Sequence, residues 1–356
     1  MQRLAAFLLL GLAACGAPPV APPTFAAGPA ADTVIVPVRY ISDAVPRADG
    51  SWVVLGTEEF EVLVVDFEAG SVTPHPGMSR DEIPGATVLL GAGDTLWVGD
   101  WGLRRMTAWL PDGRRVDAIP TPEQLRGAFP RARDAAGQWY FELSAPPGRD
   151  GRGVLDSGVV VRADSYLSRF DTVAQITPPE SAEVDRGNGP RMELLVLAGR
   201  DRWGVLPDGT VWIARVQQNK LDVYPPGGAA AKRGRPMADP ILPITETDRQ
   251  LYGLRFPEEQ RGNLANVRFA FVKPAFEQAF AEPSGRVWLF KSAIALDSIR
   301  SFQVADTAGW QFSVSVPSYG TGIGVSKDAI LMAEEFPGGI RLLRFARPAE
   351  SRSPEG

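Results

Sequence analysis

Two residue types that carry much of protein chemistry occur once each in this chain, as Cys15 and His75. One cysteine excludes an internal disulfide framework and a cysteine-built metal centre. One histidine removes the usual zinc site and the usual Ser-His-Asp arrangement. His75 stands between Pro74 and Pro76, in what reads as a surface turn. Positive charge is also sparse. The formal charge is −5, and the one basic run, Lys232-Arg233-Gly234-Arg235, is short. No nucleic-acid partner is expected from such a chain. A G-x-S-x-G elbow, a phosphate-binding loop, an EF-hand loop and an H-E-x-x-H helix are all missing.

Glycine and proline, by contrast, are plentiful, at 37 and 32 residues, beside an ordinary apolar share of 44%. That mixture favours many turns over long helices. The N-terminus has a positive start (Arg3), an apolar stretch over 4–11, and then Leu12-Ala13-Ala14-Cys15. These are the three parts of an export signal, and the apolar stretch is too short for a stable membrane span. Leu-Ala-Ala-Cys resembles the lipobox of bacterial lipoproteins. The resemblance implies removal of residues 1–14, acylation of Cys15 and anchoring of the chain to a membrane of the cell envelope. Gly16, where an Asp would signal retention, favours the outer membrane. Residues 15–31 then read as the acylated cysteine and a Pro/Ala-rich tether, too uncharged and too proline-rich to bury a core. A folded domain is expected over 32–348, followed by a disordered tail over 349–356.

One short pattern recurs through that domain. An apolar approach leads to a Gly or Asp turn, and an alternating β-rich run with an aromatic follows. The copies are RADGSWVVL (47–55), GAGDTLWVGD (91–100), DAAGQWYFEL (134–143), LPDGTVWIAR (206–215), EPSGRVWLFK (282–291) and VSKDAILMAE (325–334). Placing the turns in register aligns Val53, Trp97, Tyr140, Trp212, Trp288 and Leu331. Three of the intervals match the roughly 40–45 residues of a propeller blade, and the other two require insertions. The reading is an all-β, six-bladed β-propeller. Its last blade lacks an outer strand, which the orphan segment TVIVPVRY (33–40) is expected to supply from the N-terminus. Short helices are expected over 121–129 and 245–254, the latter capped by Thr245 and Asp248. Gly320 to Gly324 should enter an inner strand and pack tightly near the axis.

Blade two carries Val98, Asp100, Arg105, Met106 and the pair Asp112-Gly113, and blade four carries Val211, Trp212, Leu221, Val223 and Gly227. These resemble the positions of NHL-type and TolB-like six-bladed propellers, over about 33–347. The resemblance implies architecture. It also implies that the loops between the second and third strands of each blade share the face that holds any site. Those loops contain Glu58, Glu59, Asp100, Trp101, Arg104, Glu142, Arg215, Gln217, Lys291, Glu334 and Glu335. The expected role is a membrane-anchored binding or scaffold module for a protein, peptide or glycan, with no cofactor. The alternative is a calcium-dependent hydrolase or lyase of the gluconolactonase-like kind, with Glu58 or Glu59 and Asp100 as candidate oxygen ligands.

Overall fold

The recurring turn is a structural device. In four copies the residue three before the glycine donates its N–H to the carbonyl one beyond it and accepts the glycine's own N–H: Arg47 with Ser51 and Gly50, Asp134 with Gln138 and Gly137, Leu206 with Thr210 and Gly209, and Glu282 with Arg286 and Gly285. All four glycines have φ between 81° and 89°, a backbone region that side chains disfavour. Each turn joins the first and second strands of a blade. The computed structural model describes residues 22–143, 157–185, 189–262 and 267–349. The export signal, Cys15 and all but the first residue of the expected tail lie outside them.

The strands form six blades. Blade one comprises Ile41–Pro46, Trp52–Gly56, Glu61–Asp66 and Ser71–Pro74. Blade two comprises Ala86–Ala92, Thr95–Asp100, Arg105–Trp109 and Arg115–Pro120. Blade three comprises Pro130–Arg133, Trp139–Leu143, Gly158–Ala163 and Phe170–Ile176. Blade four has Arg202–Val205, Val211–Arg215 and Lys220–Tyr224, with Lys232 bridged to Val223 in the outer position. Blade five comprises Phe276–Ala281, Val287–Lys291, Ile299–Asp306 and Gly309–Pro317. Blade six has Thr321–Val325, Ala329–Phe336 and Gly339–Ala346, and Asp32–Val36 is its fourth strand. The N-terminal closure is antiparallel, with Asp32 opposite Arg344 and Val36 opposite Ile340.

Strand alternation divides each second strand between two neighbours. The six aligned anchors all turn toward the following blade. Val53 packs against blade two, Trp97 against three and Tyr140 against four. Trp212 packs against blade five, Trp288 against six and Leu331 back against one. The residue before each anchor (Trp52, Leu96, Trp139, Val211, Val287, Ile330) fills the preceding interface. The core is thus six apolar seams rather than one central mass, as radial stacking requires. Gly324 confirms the expected close approach, since a Cβ there would lie 2.5 Å from the Trp52 ring.

Three expectations change. The tether does not run free to residue 31: Thr24–Ala26 pairs in parallel with Ser313–Ser315 on the outer strand of blade five, and Ala27 is buried there. The exposed outer edge offered unpaired backbone groups that this short segment satisfies. Residues 121–129 hold one 3₁₀ turn, Glu123–Leu125, which stops where Arg126 takes φ 55°. His75 is buried at 3% exposure, its Nδ1 against the Pro76 carbonyl, and burial pushes its pKa down. Its N–H extends the outer-strand ladder of blade one to the Val62 carbonyl, while Pro74 and Pro76 on either side stay exposed. The insertion between blades three and four carries a separate hairpin, Ser181–Asp185 with Pro190–Leu194. The helix Glu246–Leu254 forms as expected, with a reciprocal capping box between Thr245 and Asp248.

Candidate functional site

Propeller topology sorts the connections onto two faces. First-to-second and third-to-fourth hairpins make a turn face; second-to-third loops and the connections between blades make a loop face. The loop face carries the residues singled out from the sequence, and the structure uses them very differently. Asp100 is fully buried and accepts N–H groups from Leu103 and Gly85, so it shapes its own loop. Arg215 is also buried. It donates to Asp201 at 2.7 Å, Asp222 at 3.0 Å, the Tyr224 hydroxyl at 2.7 Å and the Gln175 carbonyl at 2.9 Å, and so ties blade three to blade four. Lys291 is held by Asp239 at 2.8 Å. Glu334 accepts from Ser318 Oγ and Tyr319 N and pairs with Arg341, which keeps its pKa low despite burial. Glu59 accepts the Arg39 N–H, and Glu58 pairs loosely with the Arg39 side chain. Trp101, Arg104, Gln217 and Glu335 are exposed on this face.

These residues do not converge on one point. Among the described residues no group of three or more His, Cys, Asp or Glu side chains could hold a metal ion. Asp100 gives its oxygens to backbone N–H groups, and Glu58 and Glu59 belong to a different blade. Asn219, on the blade-four loop, donates to the Asp239 carbonyl. This donor set does not fit the calcium site of the alternative reading.

What does converge lies at the head of the inner strands. Five of the six carry a β-bulge near the loop-face end. The skipped residues are Ser42, Thr87, Arg131, Glu277 and Ile323. A bulge leaves one residue without a cross-strand partner and re-aims its side chain. The sixth inner strand begins directly with Arg202. The central mouth therefore combines polar and charged groups from several blades.

Its electrostatics are connected. The Arg131 charge favours ionisation of Asp43, although burial dominates and pushes the Asp43 pKa up. Arg200 feels the positive charge of Arg131 on top of its own desolvation, and both lower its pKa. Arg202 is lowered by desolvation and then by Arg200, against the opposing pull of Tyr40 and Glu277. Glu277 is raised by burial, against Arg300, Ser292, Lys273 and Arg202. Glu142 joins the cluster from the sequence-derived set: it pairs with Arg200 and accepts the Trp203 indole N–H at 2.8 Å. Beside Glu277 and Arg300, a cavity of about 660 Å³ opens between blades five and six and the inserted helix, walled partly by Leu251, Tyr252, Ile294, Leu296 and Tyr319.

No family model matches the chain, and no curated protein matches it. Solved structures do match in shape. A gluconolactonase from Xanthomonas campestris is 12% identical with a TM-score of 0.48, covering 90% of this chain and 97% of its own. A DUF4221 family member from Bacteroides vulgatus is 7% identical with a TM-score of 0.47, covering 89% and 96%. Virginiamycin B lyase from Staphylococcus aureus is 9% identical with a TM-score of 0.40, covering 86% and 80%. Likenesses this remote concern the fold and carry nothing about activity.

Proposed function

We propose that the protein is an exported lipoprotein, anchored through acylated Cys15 to the outer membrane of the cell envelope, whose propeller is a binding module for a protein or peptide partner. One observation carries the binding role. Among the described residues, every exposed large hydrophobic side chain except Ile35, Val116 and Tyr166 lies on the loop face or on a connection that borders it. Phe271 is 87% exposed, Leu296 69% and Trp101 67%. Concentration of such residues on one face marks an interaction surface, whereas scattered single ones are ordinary. Aliphatic groups such as Leu254 and Ile294 dominate alongside the rings. That favours a protein surface over a glycan, which would be recognised by stacked rings with polar neighbours.

Support for the anchor is the lone cysteine, placed where a lipobox requires it. Among the described residues no helix is long and apolar enough to cross a membrane. Replacing Cys15 with Ser should move the protein from the membrane fraction to the soluble one and abolish acyl labelling.

The binding role is tested by cross-linking and recovery from solubilised envelope, with Trp101→Ser, Phe271→Ser and Leu296→Ser combined. The combined variant should lose the specific cross-linked partner. Tyr166→Ser, at an 88% exposed position on the turn face, should keep it. Equal recovery by both variants sinks the reading. A calorimetric calcium titration should show no saturable binding.

A further inference from the structure

We propose that the channel mouth is a seat for an oxyanion, a carboxylate or phosphate group, held between Arg131 and Arg202. This rests on the reading of the loop face as a binding face and names what its centre recognises.

Three features of the geometry lead there. First, both arginines are aimed by the backbone. Arg131 is the skipped residue of the blade-three bulge, between the paired residues Pro130 and Ala132, and it is exposed. Arg202 is the first residue of the only inner strand without a bulge. Second, neither has an ion-pair partner among the described residues, and Arg202 Nε is buried with no hydrogen-bond partner. The Nε atoms of Arg105, Arg133, Arg300 and Arg341 are likewise buried without a partner, and a donor so placed is costly unless something fills the position. Third, the neighbouring carboxylate that could have served them is committed elsewhere, because Glu142 is taken by Arg200 and by the Trp203 indole.

The charge balance agrees. Of the three arginines across the mouth, Arg131 acts on Arg200 and Arg200 on Arg202; Arg200 is paired with Glu142, which leaves Arg131 and Arg202 without an ion pair among the described residues. Four acids face these arginines: Glu142 is held by Arg200, Asp201 is held by Arg215, and burial raises the pKa of both Asp43 and Glu277. Lys273 pairs with Asp248, and Arg300 donates to the Tyr319 carbonyl, so these two lie at the margin. Like charges held together this way favour an anion between them. Guanidinium groups suit the task because their planar donors match carboxylate and phosphate oxygens two at a time. A ligand seated here would extend past Glu277 over the apolar wall of the blade-five cavity.

The test is calorimetric titration of the full lipidated protein in neutral detergent at constant ionic strength. One arm uses inorganic phosphate and the other citrate, which separates the two sources of the same chemistry. At least one should bind saturably. Arg131→Gln and Arg202→Gln should each weaken that binding tenfold or more, and Arg114→Gln, on a turn-face hairpin, should leave it unchanged. Failure of both anions to bind, or equal binding by all variants, overturns the proposal. Arg131 is exposed, so its variant carries the test should Arg202→Gln not fold. If no anion binds yet the apolar triple variant still loses its partner, the oxyanion seat alone falls. If an anion binds and that variant keeps its partner, the docking face falls and the seat stands.

Discussion

Glu282 does two jobs at the turn of blade five. It accepts the Trp288 indole N–H at 2.9 Å and pairs with Arg347 at 3.2 Å, both side chains of that pair being nearly inaccessible. Arg347 in turn lies 4.5 Å over the Trp288 ring and donates to the Ser326 carbonyl in blade six. Replacing Glu282 with Gln removes the carboxylate that pairs with this buried guanidinium. The expected loss is about 3–5 kcal/mol of unfolding free energy, read by denaturant titration. A loss under about 1 kcal/mol would show that the pair is not buried as described. Blade three repeats the device, with Asp134 accepting the Tyr140 hydroxyl at 2.9 Å; burial and then the Asp134 bond push the tyrosine pKa up. In both blades the carboxylate stands six residues before the anchor. In blades two and four that place is held by Gly91 and Leu206, and the indole nitrogens of Trp97 and Trp212 have no partner. The anchors were readable in the sequence because buried aromatics after a Gly turn are a pattern. The roles of Asp100 and Arg215 were not. A polar residue beside a loop looks the same in sequence whether its hydrogen bonds point outward or back into the fold.

At the scale of strands, the closing segment has the clearest consequence. Val34 and Val36 are buried in the seam between blades six and one, and the Asp32 carboxylate receives the Arg344 guanidinium. Deleting 32–36 would expose the edge of the last strand and open that seam. The variant should lose its cooperative melting transition, followed by circular dichroism; an unchanged transition would mean that the ring closes without it. This strand was visible beforehand because TVIVPVRY alternates and the last blade was one strand short. The strand Thr24–Ala26 was not. It is three residues long, lies among prolines and pairs in parallel at an outer edge, where no alternation is needed. The bulges were equally hidden. Arg131 and Glu277 owe their place to a register skip, and a period-two pattern gives no mark to the residue that has no partner. The centre of the candidate site was therefore missed in sequence, while its rim was found.

For the whole molecule, the two faces differ in kind. The turn face is built from the repeat itself, with tight hairpins whose geometry leaves little room for variation. The loop face collects the bulged strand heads, the inserted helix Glu246–Leu254 and most exposed apolar side chains among the described residues. Sequence freedom is thus concentrated where the fold demands least, the usual place for recognition.

The parallel sense of Thr24–Ala26 has a further geometric consequence. Its partner strand, Gly309–Pro317, runs from the turn face toward the loop face, so the chain preceding Thr24 points back toward the turn face. Six residues lie between Cys15 and Pro22, and the seven steps span at most about 25 Å. With Cys15 acylated as proposed, this direction favours a bilayer on the turn-face side of blade five's outer edge. Because the chain has no other cysteine, a thiol introduced elsewhere is a unique labelling point. A fluorophore at Tyr166→Cys should be quenched by headgroup-quencher lipids more strongly than one at Phe271→Cys, and the reverse order would refute this orientation. Under the proposed anchoring, these three paired residues would act as a compass, holding the proposed arginine seat away from the lipid and open to the compartment beyond.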